Sequence, residues 1–221
     1  MKKKSGYKNR AHCFSRALAI LITAGLVISL FGCSSRNSGA DSFQIAFVSL
    51  SVNENAISEY GTFLTNEMPE LTIDGKAPVF IPIIAGETRN DYESGKVNDP
   101  MAVMGGMMRL ATLGATGALD VVIADMDNAA RQARGDMFIP LADIFTRDEL
   151  SSMENRFLSF DKLNTDGYEP VPTGEKTPVC GINITGNARM RSIFGNQEIG
   201  VFIAASTKNP ELAKKVALSL L

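Results

Sequence analysis

Phe43-Gln44-Ile45-Ala46-Phe47-Val48-Ser49-Leu50-Ser51-Val52 is an almost unbroken apolar run, and Asn53 follows it. A strand buried on both faces reads as a continuous hydrophobic stretch, as strands of covered parallel sheets do. Asn53 then opens a helical stretch. Ile57, Tyr60, Phe63 and Leu64 recur there at three- and four-residue spacing, an inward stripe that should end near Pro69. A buried strand feeding a helix is the opening of an α/β unit.

The same alternation continues downstream. Pro78 to Ala85 is a second apolar strand, and Pro82 inside it calls for an edge position or a bend, because proline has no N–H for a ladder. Gly86 to Asn98 is polar and reads as a surface loop. Asp99 and Pro100 supply an N-cap and a first-turn proline for a helix through about Leu113. Met101, Met104, Met107 and Met108 lie on that helix beside Gly105 and Gly106. Clustered thioethers can select copper(I) or line a partner groove, but the spacing is expected to seat this helix close on a sheet, with methionines filling the gaps.

Val121 to Ala124 is a short β-branched strand that runs into Asp125-Met126-Asp127-Asn128, where a strand meets a helix N-terminus. In open α/β sheets ligands collect outside the carboxyl ends of strands. Asp127 and Asn128 therefore have two readings, helix cap or ligand contact. Arg131, Arg134 and Gly135 close the short helix. Phe138 to Ile144 is extended or a turn, and Thr146 with Glu149 has the spacing of a capping box. Asn164 to Thr177, rich in Asp, Gly, Pro and Thr, is expected to be an excursion or hinge. Val179–Ile184 and Ile199–Ala205 are further strands, with a short helix over Arg189–Phe194 between them. A final helix begins at Asn209-Pro210-Glu211 and turns Leu212, Val216 and Leu220 inward.

The first 32 residues stand apart. Lys2, Lys3, Lys4, Lys8, Arg10 and Arg16 precede an apolar run from Ala17 to Leu30, and Leu30-Phe31-Gly32-Cys33 ends it. The pattern is that of a lipoprotein signal peptide (1–32) cleaved before Cys33, whose thiol carries the lipid. Residues 33–42, small and polar, form a flexible tether to an α/β domain over 43–221. Within it, residues 129–198 are the place for a small second lobe or cap. Residues 1–32 hold six of the 22 basic residues and none of the 24 acidic ones, leaving a formal charge of −8 on the rest. Nucleic acid is not an expected partner of such a surface.

Composition removes several chemistries. Cys13 and Cys33 fall in the signal and at the anchor, so Cys180 has no disulfide partner and reads as a packed residue. The single histidine, His12, lies in the signal, which leaves no histidine for triads, zinc ligation or general-base work. Tryptophan is absent, and no glycine-rich phosphate loop follows a strand. The acids Asp125 and Asp127 alone make a poor case for a carboxylate hydrolase; such pairs also cap helices or hold calcium loosely. The expectation is a non-enzyme with no cofactor and no metal.

Two stretches carry a family resemblance. Glu198-Ile199-Gly200-Val201-Phe202-Ile203-Ala204-Ala205-Ser206-Thr207-Lys208-Asn209-Pro210-Glu211-Leu212-Ala213-Lys214-Lys215 is similar to a late strand, turn and helix of the extracellular solute-binding proteins of bacterial ATP-driven (ABC) importers. Leu119-Asp120-Val121-Val122-Ile123-Ala124-Asp125 with Gly135-Asp136-Met137-Phe138-Ile139-Pro140-Leu141 resembles their mid-chain strand and the turn after it. The resemblance implies a periplasmic-binding-protein-like (type II-like) α/β fold, an open sheet flanked by helices, here with the second lobe reduced. It also implies a lipid-anchored protein on the extracellular or periplasmic side of the cell membrane, handing a small polar solute to an ABC permease. Topology then places the ligand among Ser49, Ser51, Asn53, Glu87, Thr88, Asp125, Asp127, Asn128, Asn183 and Thr185, whose carboxylates lean towards a cationic solute. The alternative is a cell-surface interaction or accessory module with the same fold and no transport ligand.

Overall fold

Six strands form one mixed sheet in the order β2-β1-β3-β8-β7-β4, in a computed structural model that describes residues 42–86, 99–165 and 170–221. The strands are β1 (Gln44–Ser49), β2 (Val79–Ile84), β3 (Val121–Asp125), β4 (Phe157–Leu158), β7 (Gly181–Asn183) and β8 (Ile199–Ile203). β1 lies between β2 and β3 and runs parallel to both, with Ala46 opposite Ile81 and Val122. β8 is antiparallel to β3 and to β7, so the parallel trio and the β7-β4 pair are joined only through it.

Both sides of the sheet are covered, as the apolar run over β1 requires. On one face Ile45, Phe47, Val121, Ile123, Val201 and Ile203 pack against α1 (Glu54–Glu67), α5 (Ala188–Phe194) and α6 (Pro210–Leu218). On the other, Ala46, Val48, Ile81, Ile83 and Val122 meet α2 (Pro100–Ala115) and α3 (Met126–Arg134). The two-residue period of each strand thus sorts its side chains between two cores. Of the stripe on α1, Ile57, Tyr60 and Leu64 are buried and Phe63 is half-buried beneath the Arg189 guanidinium. In α6, Val216 is buried with Ala213 and Ala217 and Leu212 is half-buried, while Leu220 is buried just beyond the end of the helix.

Local signals explain where the elements begin. Asn53 Oδ1 accepts the amides of Asn55 and Ala56, and Asp99 Oδ1 those of Met101 and Ala102, ahead of Pro100. β2 is an edge strand. Val79 N–H donates to Phe43 and Ala85 N–H to Ser49, so alternate residues face β1 and Pro82 falls among those facing away. A proline there removes a donor from the free edge and none from the ladder.

On α2 the close seating on the sheet holds and Met107 packs against the core, but the expectation fails for the other three methionines. Val103 and Leu110 are the buried residues, whereas Met101, Met104 and Met108 are 70%, 51% and 65% exposed. The inner face is set by the spacing Val103-Gly106-Met107-Leu110, and Gly106 brings the helix so near β2 that a Cβ there would sit 2.8 Å from the Ile84 carbonyl carbon. Gly181 and Gly200 do similar service beneath the fully buried Phe202, whose ring stacks on Phe138 at 4.5 Å.

Residues 129–198 contribute β4, β7 and α5 to the layers just described. The Asn164–Thr177 excursion holds β6 (Val171–Lys176), which pairs antiparallel with β5 (Asp161–Asn164) in a separate two-stranded sheet, tied down by Arg134 Nε donating to the Asp161 carbonyl at 2.8 Å. Phe138 makes an isolated bridge to Ala204, and Leu141–Asp143 is a single 3₁₀ turn.

Thr146 and Glu149 form the expected capping box on α4 (Arg147–Met153), and Lys214 of α6 reaches Glu149 at 2.7 Å. The Lys214 ammonium and the Thr146 donors hold the Glu149 carboxyl down at about 2. Its contribution to stability is present above the ordinary glutamate pKa of about 4.3 and is lost as the pH falls through 2. Wild type and Glu149→Gln should therefore differ in urea midpoint at pH 6 and converge by pH 2. A gap that does not change with pH would show that the carboxylate's charge is immaterial.

Candidate functional site

β1 and β3 are parallel neighbours, so Ser49 and Asp125 end at the same edge of the sheet. From that edge β1 continues towards β2 and β3 continues into α3 on the opposite face. This divergence opens a crevice at the point where strand order reverses. β8 runs the other way and therefore starts at this edge, with Ile199 opposite Asp125. A cleft of about 580 Å³ results, lined by Leu50, Ser51, Asp125, Met126, Asp127, Gln197 and Glu198.

Beneath the cleft is a fixed polar layer. Ser49 is fully buried, and its Oγ donates to Gln197 Oε1 at 2.7 Å. Asp125 caps α3, accepting the Asn128 amide at 2.9 Å, while Asn128 Nδ2 donates to both carboxylate oxygens and to the Ala85 carbonyl. Burial pushes the Asp125 carboxyl above the usual carboxylate range; the bonds from Asn128 oppose this, and the Asp127 charge adds to it. A carboxylate partly stripped of water at a cleft floor has unspent electrostatic attraction for a cation.

The expected residues divide by what their side chains do. Ser51, Asp125 and Asp127 line the cleft, and Ser49 lies under it. Asn53 is the cap of α1. Asn128 is buried behind Asp125, with its Oδ1 unpartnered among the described residues. Asn183 Oδ1 accepts the Thr185 amide just after β7, and Thr185 Oγ1 accepts the Ile199 amide at the start of β8, where Thr185 also lines a smaller neighbouring depression. Glu87, Thr88 and Cys33 lie outside the described residues.

The chain matches no protein-family model, no curated protein and no solved structure.

Beside the apolar Leu50 and Met126, Gln197 and Glu198 are the polar lining residues that the sequence reading missed. They precede a strand, and an amino-terminal approach normally puts residues at the edge away from the site. The antiparallel direction of β8 reverses this, and nothing in the local pattern announces that direction. Among the described residues no group of three or more His, Cys, Asp or Glu is placed to hold a metal ion, and no helix is long and apolar enough to cross a membrane. Cys180 is buried, and burial pushes its thiol up to about 11, so it is a packed side chain rather than a nucleophile.

Proposed function

We propose that this protein is a lipid-anchored, outward-facing solute-binding protein that delivers a small polar molecule to an ABC importer. The observation that supports the reading is the crevice at the β1/β3 switch point. Its floor is polar and hydrogen-bonded, its rim carries Asp127 and Glu198, and its volume of about 580 Å³ suits a small solute. The lipobox at Cys33 and the tether after it fit a receptor held at a membrane surface.

The direct test is native mass spectrometry of the full-length chain purified in detergent, compared with the same chain after denaturation and refolding. A discrete adduct lost on refolding is the expected result. No adduct, and no thermal stabilisation by amino acids, sugars, peptides, polyamines or anions, would overturn the reading.

Asp125→Asn separates binding from folding. A carboxyl whose pKa is raised in the folded state is best tolerated when protonated, so its contribution to stability falls as the pH rises past that pKa. Asparagine keeps a capping oxygen for the Asn128 amide and carries no charge, but its NH₂ opposes Asn128 Nδ2. The stability of the variant relative to wild type should therefore be higher at pH 7.5 than at pH 3, whatever fixed cost the opposed donors add. Affinity for the solute should nevertheless fall at least tenfold, by titration calorimetry.

A second reading, the accessory interaction module, is favoured by one observation: Met101, Met104 and Met108 stand exposed along α2. Loss of partner capture on changing these three methionines to glutamine, with no solute found, would favour it.

A further inference from the structure

A second depression of about 190 Å³ adjoins the acidic cleft, lined by residues that include Arg191, Gly186, Gly195, Asn196 and Gln197. Arg191 is the one charged residue of that lining, and its guanidinium makes no hydrogen bond or ion pair among the described residues. Gly186 and Gly195, which line the same depression, have positive φ and nothing within 4 Å of where a Cβ would stand, and Arg191 is exposed. In the larger cleft the charges are Asp125, Asp127 and Glu198, with no basic residue among the lining.

Gln197 lines both depressions, with Asn196 only in the smaller and Glu198 only in the larger. Three consecutive Cα atoms span at most about 7.6 Å, so a negative and a positive subsite stand side by side along this edge. Gln197 is itself held, because its Oε1 accepts from Ser49 Oγ, and its amide nitrogen has no acceptor among the described residues. A simple amine would answer the carboxylates and leave Arg191 unmatched, and a neutral sugar would match neither.

We propose that the site takes a small zwitterion, a free amino acid or dipeptide, with its ammonium group towards Asp125, Asp127 and Glu198 and its carboxylate on Arg191. This assignment rests on the solute-binding reading and specifies it. Arginine offers a forked pair of donors that matches a carboxylate.

The test is titration calorimetry on the full-length chain in detergent, using the twenty common amino acids and a set of dipeptides made from them. The tightest binder is then compared with its carboxamide and its N-acetyl derivative. Each derivative should bind at least tenfold more weakly than the parent. Arg191→Gln should weaken the parent by the same factor and leave the carboxamide unchanged, while Arg191→Lys retains part of the discrimination. Arg191 is exposed, so both variants should melt as wild type does. If the carboxamide binds as well as its parent, or Arg191→Gln lowers both equally, the zwitterion assignment is wrong. A sugar, polyamine or inorganic anion that binds where no zwitterion does would also overturn it, and would leave the solute-binding reading standing. Absence of any binding across all these classes would overturn both.

Discussion

Asp120→Ala is expected to lower the stability of the folded chain by about 4 kcal/mol. The Asp120 carboxylate is buried at the edge of the sheet opposite the cleft, where β1, β3 and the turn after β8 come together. Its Oδ2 accepts the Gln44 amide at 2.9 Å, and its Oδ1 accepts from the Thr207 hydroxyl and from Asn209 Nδ2. Hydrogen bonds to a charged group contribute about 1.5–3 kcal/mol each, and three that share one carboxylate do not add fully. Alanine would remove all three and strand the Gln44 N–H in an apolar setting. Against a total of about 5–15 kcal/mol, that is a large share. Asp120→Asn should cost about half as much, since one oxygen is retained while the new NH₂ opposes a donor. Urea midpoints with unchanged m values measure both, and a loss below about 1 kcal/mol for alanine would mean that water replaces the carboxylate without penalty.

Gly106→Ala and Gly105→Ala should have opposite signs although the residues adjoin in one helix. Alanine is favoured over glycine by about 1 kcal/mol inside a helix. At Gly105 nothing lies within 4 Å of the new methyl group, so that gain should appear in full. At Gly106 the methyl group would overlap the carbonyl oxygen of Ile84, which belongs to the backbone of β2 and cannot swing aside. α2 would have to lift from the sheet, opening its contact with Ile81 and Ile83 through Leu110. Overpacking typically costs about 1–3 kcal/mol and more where the backbone must move, so a net loss of about 3 kcal/mol is expected. Thermal melts of the two variants decide the matter: equal shifts would show that the helix rides freely over β2.

That contrast also marks what could be read from the chain. The strands within 43–52 and at 121–124 were legible because burial on both faces leaves no polar alternation, although the first stops at Ser49. The caps at Asn53, Asp99 and Thr146 were legible because a short side chain bonding nearby amides is a local event. The face that α2 turns inward was not. Four methionines outweigh one Val103 in any count of apolar residues, and the small size of Gly106 matters only once β2 lies beneath it. The site divides along the same line. Asp125 and Asp127 follow a recognisable strand, whereas Gln197, Glu198 and Arg191 reach the same edge through the antiparallel direction of β8 and the placement of α5. Long-range pairing carries no signature in the residues on either side of it.

The position of β8 bears on how the chain reaches this state. It pairs with β3 across about eighty residues of sequence, as Val121 opposite Ile203 shows. Contacts so distant must be closed against the entropy of the intervening loop, which slows folding. Until Ile199–Ile203 has arrived, β3 and β7 each present an unsatisfied ladder, and those two edges carry Val121–Ala124 and Gly181–Ile182 rather than a proline. Pro82 guards the outer border of the finished sheet, but the interior borders are open to other chains for as long as β8 is missing. Aggregation during refolding should therefore begin at the centre of the sheet, and its rate should depend on how soon the carboxyl-terminal strand docks.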